Sequence, residues 1–257
     1  MKFARDLFPD IDAIATRQRA TFPEIEDDVF WAFYEQCKHF SLLHIPGFYN
    51  LYQSLTYLGR NKIAGCAVEC GCFLGGAAAF TGLMRKHLDL DLEIWLFDTF
   101  EGPPIGSTDV FVGGALIETP ALLPNYEKQV KATLKDVVGS TKAYRFVVGL
   151  VEETIPPLDM APIALLRLDT DFYSSTKIEF EHFYPRLVSG GVLIIDDYGT
   201  FGGSRRATDE YVANLARPPL LNRIDLGIWS GVKPETSAED CGAPKRTRKR
   251  LFERRRA

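Results

Sequence analysis

Short apolar runs rich in β-branched residues alternate with helical segments over most of the sequence downstream of Gly65. This alternation constrains the fold strongly, because strands that are apolar throughout must be covered on both faces, as in a parallel sheet with helical crossovers. It predicts an α/β fold built on a doubly wound, Rossmann-like, mostly parallel sheet of seven strands. The predicted strands are Ala67 to Cys70, Glu93 to Asp98, Tyr144 to Gly149, Ile163 to Asp169 and Gly191 to Asp196, followed by a β-hairpin within Leu220 to Val232.

Helices are predicted between these strands and ahead of them. Residues 1–60 predict a mostly helical leader, since Glu26 to Phe40 places its apolar residues on one helical face. We expect this leader to act as a covering layer or as a dimer element, so homo-oligomer formation stays open. The crossover helices are predicted at Gly76 to His87, Asn125 to Val138, Thr176 to Val188 and about Ser204 to Leu215.

Charge is distributed unevenly along the chain of 257 residues. The net charge is −4, yet Lys245 to Ala257 carries eight basic residues and one acid, so the rest of the chain is strongly acidic. We interpret 236–257 as a basic, solvated or disordered tail, and we rank binding of nucleic acid or of a membrane surface below that interpretation. Residues 61–235 then form one main domain, since no repeat or Gly/Ser-rich hinge divides them.

The sequence also indicates a cellular compartment. No apolar run approaches the roughly 20 residues of a membrane helix. The first 20 residues carry charges throughout and lack the apolar centre of a signal peptide. The five cysteines, of which Cys66, Cys70 and Cys72 stand close together, do not have the pattern of a disulfide framework. We therefore expect a cytoplasmic protein without a membrane partner.

A glycine-bearing turn follows the first predicted strand and opens an apolar helix, with Gly71 and Gly75 in the turn and Glu69 just ahead of it. Glycine lets the backbone approach a ligand closely, and a helix N-terminus offers free N–H groups. Asp98 ends the second predicted strand, 27 positions beyond Gly71, where a carboxylate can accept hydrogen bonds from both ribose hydroxyls. These features predict a nucleoside site without distinguishing a nicotinamide from other nucleoside cofactors.

Two further predicted strands each end in a pair of acids, Asp169 with Asp171 and Asp196 with Asp197. Neighbouring strands of a doubly wound sheet bring their carboxyl ends together in the ligand-binding crevice, so these four carboxylates are expected to converge. Like charges this close repel, and a hard divalent cation relieves the repulsion. Oxygen ligands favour Mg²⁺, Mn²⁺ or Ca²⁺ over zinc, and the cysteines on either side of Gly71 lack a nearby histidine for a zinc site.

Together these segments closely resemble the macrocin O-methyltransferase (TylF-type) family of class I S-adenosylmethionine-dependent methyltransferases. Members of that family methylate sugar hydroxyls of macrolide and aminocoumarin antibiotics. The resemblance spans about Gly65 to Val232. Its most specific motifs are VECGCFLGG (Val68 to Gly76), FDTFEGPP (Phe97 to Pro104), VVGLVEETIP (Val147 to Pro156), LRLDTDFYSSTK (Leu166 to Lys177) and GGVLIIDDYGTFGGSRRA (Gly190 to Ala207).

The resemblance implies a role for each motif. It matches Asp171 to the general base that removes the hydroxyl proton, and Gly102 to Pro124 to a mobile lid over the acceptor. It matches Asp169, Asp196 and Asp197 to the ligands of a divalent metal, with Mg²⁺ the expected ion. The residues expected to bind S-adenosylmethionine are Glu69, Gly71, Gly75, Asp98 and Thr99.

The function implied is transfer of a methyl group to a hydroxyl of a small molecule, most simply a sugar of a glycosylated natural product. Cys70, Cys72, the lid segment and the basic tail depart from the family pattern and leave the acceptor open, so a catechol hydroxyl is one alternative. A nicotinamide-dependent oxidoreductase would use the same nucleoside site, but the carboxylate cluster argues against it. A third alternative is a non-enzymatic scaffold whose tail binds an anionic partner. Hydrolase chemistry has little support, since the histidines are scattered and no Gly-x-Ser-x-Gly motif exists.

Overall fold

The computed structural model describes residues 3–102 and 126–235. The predicted tail at 236–257 lies outside the described residues, and so does the predicted lid apart from Gly102. Both stay predictions. Within the described ranges, no helix is long and apolar enough to cross a membrane.

The structure contains a sheet of strands β1 (Cys66–Cys70), β2 (Ile94–Asp98), β3 (Tyr144–Val148), β4 (Ile163–Leu168), β5 (Leu187–Ile195), β6 (Asn222–Arg223) and β7 (Trp229–Val232). Their order in the sheet is β3-β2-β1-β4-β5-β7-β6. The first five strands run parallel, and β7 pairs antiparallel with both β5 and β6. The predicted doubly wound, mostly parallel sheet with a closing hairpin is confirmed, and β4 lies beside β5 as expected.

The helices of the described residues are α1 (Ala4–Leu7), α2 (Asp28–Cys37), α3 (Ile45–Arg60), α4 (Gly76–His87), α5 (Glu127–Val138), α6 (Val151–Thr154), α7 (Tyr173–Phe183) and α8 (Gly202–Val212). The helical leader is confirmed, and α4 has the predicted bounds. Short 3₁₀ turns connect α1 to α2. The helix predicted at about Ser204 to Leu215 is present as α8, shifted toward the N-terminus.

The helix predicted at Thr176 to Val188 is wrong at both ends. α7 begins at Tyr173, ends at Phe183 and is followed by a 3₁₀ turn at Tyr184–Arg186. Pro185 explains the early end, because proline lacks an N–H and its ring clashes with the carbonyl four residues earlier. The last two residues of the predicted helix belong to β5, which therefore begins before the predicted Gly191.

The leader packs into the main core. Phe30 of α2 and Phe48 of α3 both contact Phe80 of α4, with ring centroids 6.1 and 5.2 Å away, and all three rings are fully buried. On the other face of the sheet, Phe183 of α7 packs edge-on against Phe97 of β2, at 5.0 Å. Both faces are thus covered, and the carboxyl ends of the parallel strands form the crevice in which ligands bind in such folds.

Candidate active site

The glycine turn after β1 depends on close backbone contacts. Gly71 has a φ of 78°, and a Cβ added there would lie 1.9 Å from the carbonyl oxygen of Asp169. Gly75, with a φ of 85°, is the left-handed residue that precedes α4. Any other residue at position 71 would push the turn away from the end of β4. The glycine turn and the acidic residues that follow β4 therefore lie in one crevice.

Asp98, at the end of β2, is 8% exposed and accepts three hydrogen bonds from the protein. The backbone N–H of Cys72 donates to Oδ2 at 2.8 Å, and that of Phe100 donates to Oδ1 at 2.8 Å. The hydroxyl of Tyr126 donates to Oδ1 at 3.0 Å. Asp98 thus joins the glycine turn, its own loop and the residue that precedes α5.

Two residues near Asp98, Thr99 and Tyr126, make contacts that the sequence did not predict. Thr99, predicted to bind the donor, directs its hydroxyl to the carbonyl of Gly102, 2.8 Å away, and so braces its own loop. Tyr126 was missed, since no motif includes it and its position depends on how the chain returns to the sheet. Burial and the charge of Asp98 raise the pKa of the Tyr126 phenol, which keeps it a hydrogen-bond donor.

Arg167 of β4 is a buried cation, 4% exposed, beneath the acidic strand ends. Its Nη1 donates to Glu69 Oε1 at 2.8 Å. Its Nη2 lies 2.8 Å from Asp169 Oδ2 and 2.7 Å from Asp196 Oδ1. Burial raises the pKa of Glu69 to about 7 although the Arg167 charge opposes this. The signal that could have revealed Arg167 is one charged residue inside an otherwise apolar strand.

Asp169, Asp171 and Asp197 come together at the ends of β4 and β5. Each offers one carboxylate oxygen, and these oxygens lie within 4.8 Å of one another, which makes this a group able to hold a metal ion among the described residues. Asp196, which the family resemblance also implies as a ligand, is not in that group, and its Oδ1 lies 2.7 Å from Arg167 Nη2. An all-carboxylate set of this kind fits a hard divalent cation.

The electrostatics of this group favour added positive charge. Burial, followed by the charges of Asp171 and Asp169, raises the pKa of Asp197 well above its ordinary value. Burial also raises the pKa of Asp169 strongly, despite the adjacent Arg167, and the Asp196 and Asp171 charges add to the effect. Among the residues that the structure describes, the Arg167 guanidinium therefore does not offset the effect of burial on Asp169 and Asp197.

Asp171 occupies an unusual backbone position. Its φ is 69°, in the left-handed region that most residues avoid and that Asp and Asn tolerate best among non-glycine residues. Its N–H donates to Asp197 Oδ2 at 3.0 Å. The conformation and this hydrogen bond hold Asp171 at the mouth of the carboxylate group, and non-glycine residues held this way concentrate at functional sites.

Glu179 of α7 was also missed by the sequence reasoning. It is fully buried, and its Oε1 lies 2.8 Å from the hydroxyl of Thr170, the residue between Asp169 and Asp171. Burial raises the pKa of Glu179 to about 8, although the Thr170 hydroxyl and the Cys70 thiol act in the opposite direction. A neutral Glu179 thus holds the loop 169–171 through its contact with Thr170.

The cysteines take no part in the candidate metal group. Cys66, Cys70 and Cys72 are free and buried. Burial raises the pKa of the Cys66 thiol to about 11, and those of Cys70 and Cys72 well above the ordinary value. Thiols are poor metal ligands unless deprotonated, so these groups are structural.

The model of the macrocin O-methyltransferase family matches residues 47–230, which is more than half of the chain. The chain belongs to this family. It is 30% identical over 189 residues to the demethyldecarbamoylnovobiocin O-methyltransferase of Streptomyces niveus, covering 72% of each chain. It is 32% identical over 180 residues to an 8-demethyl-8-(2,3-dimethoxy-alpha-L-rhamnosyl)-tetracenomycin-C 4'-O-methyltransferase of Streptomyces olivaceus, covering 68% of this chain and 69% of the relative.

Solved structures share the fold. The O-methyltransferase NovP superposes with a TM-score of 0.69 over 90% of this chain and 99% of NovP, at 23% identity. The calicheamicin methyltransferase CalS11 gives 0.56 over 88% and 91% of the two chains, at 18% identity. Family membership confirms the predicted S-adenosylmethionine-dependent O-methyltransferase and removes the nicotinamide and scaffold alternatives. The match begins inside α3 and ends in β7, so it leaves out most of the leader.

Proposed function

We propose that this enzyme transfers the methyl group of S-adenosylmethionine to a sugar hydroxyl of a glycosylated natural product, with a divalent metal bound at the ends of β4 and β5. The observation that carries the metal is the group of Asp169, Asp171 and Asp197, whose carboxylate oxygens converge and in which burial and the neighbouring carboxylates raise the pKa values of Asp169 and Asp197. The sugar acceptor is supported by the names of the relatives, which include a mycinamicin III 3''-O-methyltransferase of Micromonospora griseorubida, 30% identical over 174 residues.

The donor would bind across the glycine turn. One ribose hydroxyl would donate to Asp98, because its three protein donors leave about one of the four acceptor positions of the carboxylate open. Its amino-acid portion would lie near Glu69 and Gly71, where the absence of a side chain at Gly71 leaves the backbone accessible. Gly75 ends the turn at the first residues of α4, whose free N–H groups attract an anionic group.

The acceptor hydroxyl would be activated at the carboxylate group. A bound divalent ion supplies Lewis acidity there, which lowers the pKa of the hydroxyl. Asp171 then takes the proton, since its left-handed backbone holds its carboxylate beside Asp169 and Asp197. The hydroxyl oxygen forms a bond to the donor methyl as the carbon–sulfur bond breaks, and the sulfonium becomes a neutral thioether.

The metal ligands we propose are Asp169, Asp196 and Asp197. Asp169 and Asp196 keep 26% and 18% of their side chains exposed, so an ion can reach them, and each uses only one oxygen to pair with Arg167. A base must lie close to the acceptor hydroxyl, which is consistent with Asp171 lying within the same group of oxygens.

The test is an acceptor screen with labelled S-adenosylmethionine and protein freed of metal by exhaustive chelation. Methyl and aryl glycosides are compared with phenols and catechols, each with and without added Mg²⁺. We expect transfer to glycosides that depends on Mg²⁺. Full activity after chelation would contradict the metal, and transfer to catechols alone would contradict the sugar acceptor.

A further inference from the structure

The side chain of Arg167 contacts both halves of the crevice, the donor half at the end of β1 and the acceptor half at the ends of β4 and β5. In the sheet, Arg167 of β4 lies directly between Glu69 of β1 and Ile194 of β5. Side chains two positions apart on a strand share a face, so Asp169 and Asp196 follow on the same face as Arg167. The strand register therefore gathers one cation and three acids at one place.

The two terminal nitrogens of the guanidinium divide the acids between them. Nη1 donates to Glu69 Oε1 at 2.8 Å, whereas Nη2 lies 2.8 Å from Asp169 Oδ2 and 2.7 Å from Asp196 Oδ1. Arg167 itself is almost fully buried, with 5% of its side chain exposed. Because a guanidinium is planar and rigid, the direction of its contact in the donor half is fixed relative to its contacts in the acceptor half.

In the acceptor half, Arg167 orients side chains that the backbone alone does not. The backbone N–H of Asp196 donates to the carbonyl of Leu168 at 2.9 Å, which extends the sheet but leaves the direction of the carboxylate open. Asp169 and Asp196 each tie one oxygen to Arg167 and thereby present the other oxygen in a defined direction. Groups that orient the ligands of a metal in this way contribute to its affinity.

Two roles for Arg167 have opposite consequences for a metal ion. As a charge, the guanidinium repels an incoming cation and lowers its affinity. As a planar fork, it holds two ligands in place and raises that affinity. A substitution that keeps the charge but removes the fork therefore separates the two roles.

In the donor half, Arg167 holds Glu69, of whose side chain 7% is exposed, just ahead of the glycine turn. The turn also contacts the acceptor half, since a Cβ added to Gly71 would lie 1.9 Å from the carbonyl oxygen of Asp169. One side chain thus contacts both the residue proposed for the amino-acid portion of the donor and the residues proposed for the metal.

We propose that Arg167 is a positioning residue for methyl transfer, which holds Asp169 and Asp196 for the divalent ion and Glu69 for the donor. This inference rests on the proposed function, since it concerns the same two ligands. It adds that binding of both ligands depends on the fork geometry of one guanidinium and not on its charge. Lysine at this position should therefore fail although it is a cation.

The experiment uses two variants that preserve the net charge of this cluster. Arg167→Lys keeps the cation but replaces the planar fork by a single ammonium group. Arg167→Gln combined with Glu69→Gln removes one cation and one acid together. Its two amides can hydrogen-bond each other, so this double variant covers the case in which Arg167→Lys does not fold. Arg145→Lys, at the exposed ion pair with Glu93, is the matched control.

Both affinities are measured without turnover. Electron paramagnetic resonance of free Mn²⁺ gives metal binding, and calorimetry on metal-free protein gives binding of S-adenosylhomocysteine. We expect Mn²⁺ affinity to fall about 10–100-fold in both variants, the range for groups that orient metal ligands. Affinity for S-adenosylhomocysteine should fall about tenfold, the scale of a lost hydrogen bond to a charged group. Arg145→Lys should change neither affinity.

The outcomes separate this inference from the proposed function. Wild-type affinities in both variants, with chemical denaturation showing only a loss of stability, would make Arg167 a structural ion-pair partner and overturn the inference. Normal binding in Arg167→Lys beside impaired binding in the double variant would assign the effect to charge and overturn it as well. If the wild type itself bound no Mn²⁺, the metal of the proposed function would be contradicted, and this inference with it.

Discussion

Asp98 and Asp197 both follow a strand of the parallel sheet and both are almost fully buried, at 8% and 5% exposure, but their neighbours differ. Asp98 receives hydrogen bonds from two backbone N–H groups and from Tyr126. Asp197 receives one from the N–H of Asp171 and otherwise faces carboxylates. Within the described part of the chain, the donor half of the crevice, at Asp98, thus has protein hydrogen-bond donors, whereas in the acceptor half, at Asp169, Asp171 and Asp197, carboxylates face one another. An added cation gains most where carboxylates face one another.

The largest difference between the two halves of the crevice is expected when Asp171 is replaced. We expect Asp171→Asn to reduce turnover by about 10²–10⁴-fold, the range typical of losing a general base. Asparagine tolerates the left-handed backbone, so shape and donor affinity should persist. Single-turnover kinetics and donor calorimetry measure the two effects, and Asp159→Asn at an exposed surface acid is the control. Wild-type turnover in Asp171→Asn would remove the base from the mechanism.

A second variant distinguishes a metal ligand from a base. Asp196→Asn should weaken Mg²⁺ binding by about 10–100-fold, the range seen when groups that support a metal site are lost. Its activity should recover in part at raised Mg²⁺, whereas Asp171→Asn should not recover. Titrating turnover with Mg²⁺ checks both. If raised Mg²⁺ restored the activity of Asp171→Asn and not that of Asp196→Asn, Asp171 would be the metal ligand and Asp196 the base. That result would agree with the candidate metal group, which includes Asp171.

The donor half should respond to a different ligand. Asp98→Ala should weaken S-adenosylmethionine binding by about 1–3 kcal/mol, since a ribose hydroxyl loses its partner and the backbone N–H of Cys72 in the glycine turn loses its acceptor. Mg²⁺ affinity should not change. Calorimetry with each ligand measures this, and Asp136→Ala at an exposed position of α5 is the control. Unchanged donor affinity in Asp98→Ala would take the carboxylate out of the donor site.

The two halves also differ in how far sequence could predict them. The strands, the glycine turn and the strand-end acids were predictable, because each depends on local periodicity and on a sheet whose carboxyl ends converge. Arg167, Glu179 and Tyr126 were not, since their roles arise from contacts between residues 98, 9 and 28 positions apart in sequence. The helix predicted to end at Val188 runs past Pro185, although a proline ends a helix, and the structure has a 3₁₀ turn there.

The last effect we expect concerns the stability of the fold rather than catalysis, and it arises from Glu179, which contacts the loop between Asp169 and Asp171. Burial holds the pKa of Glu179 at about 8, against an ordinary value of 4.5. Between these values the unfolded chain releases this proton while the folded protein keeps it, so this group's contribution to stability falls as pH rises from 4.5 to 8 and is then constant. Glutamine has the shape of the protonated acid and does not titrate.

Glu179→Gln should therefore differ little from the wild type in stability near pH 4.5 and become the more stable of the two as pH approaches 8. Chemical denaturation of the metal-free proteins at several pH values measures the difference, and Glu181→Gln, exposed on the same helix, should show none of it. A Glu179→Gln protein that becomes less stable relative to the wild type as pH rises would mean that Glu179 acts as a charged group. The neutral support assigned to the Asp169–Asp171 loop would then be wrong, and the acceptor half would hold one more uncompensated negative charge.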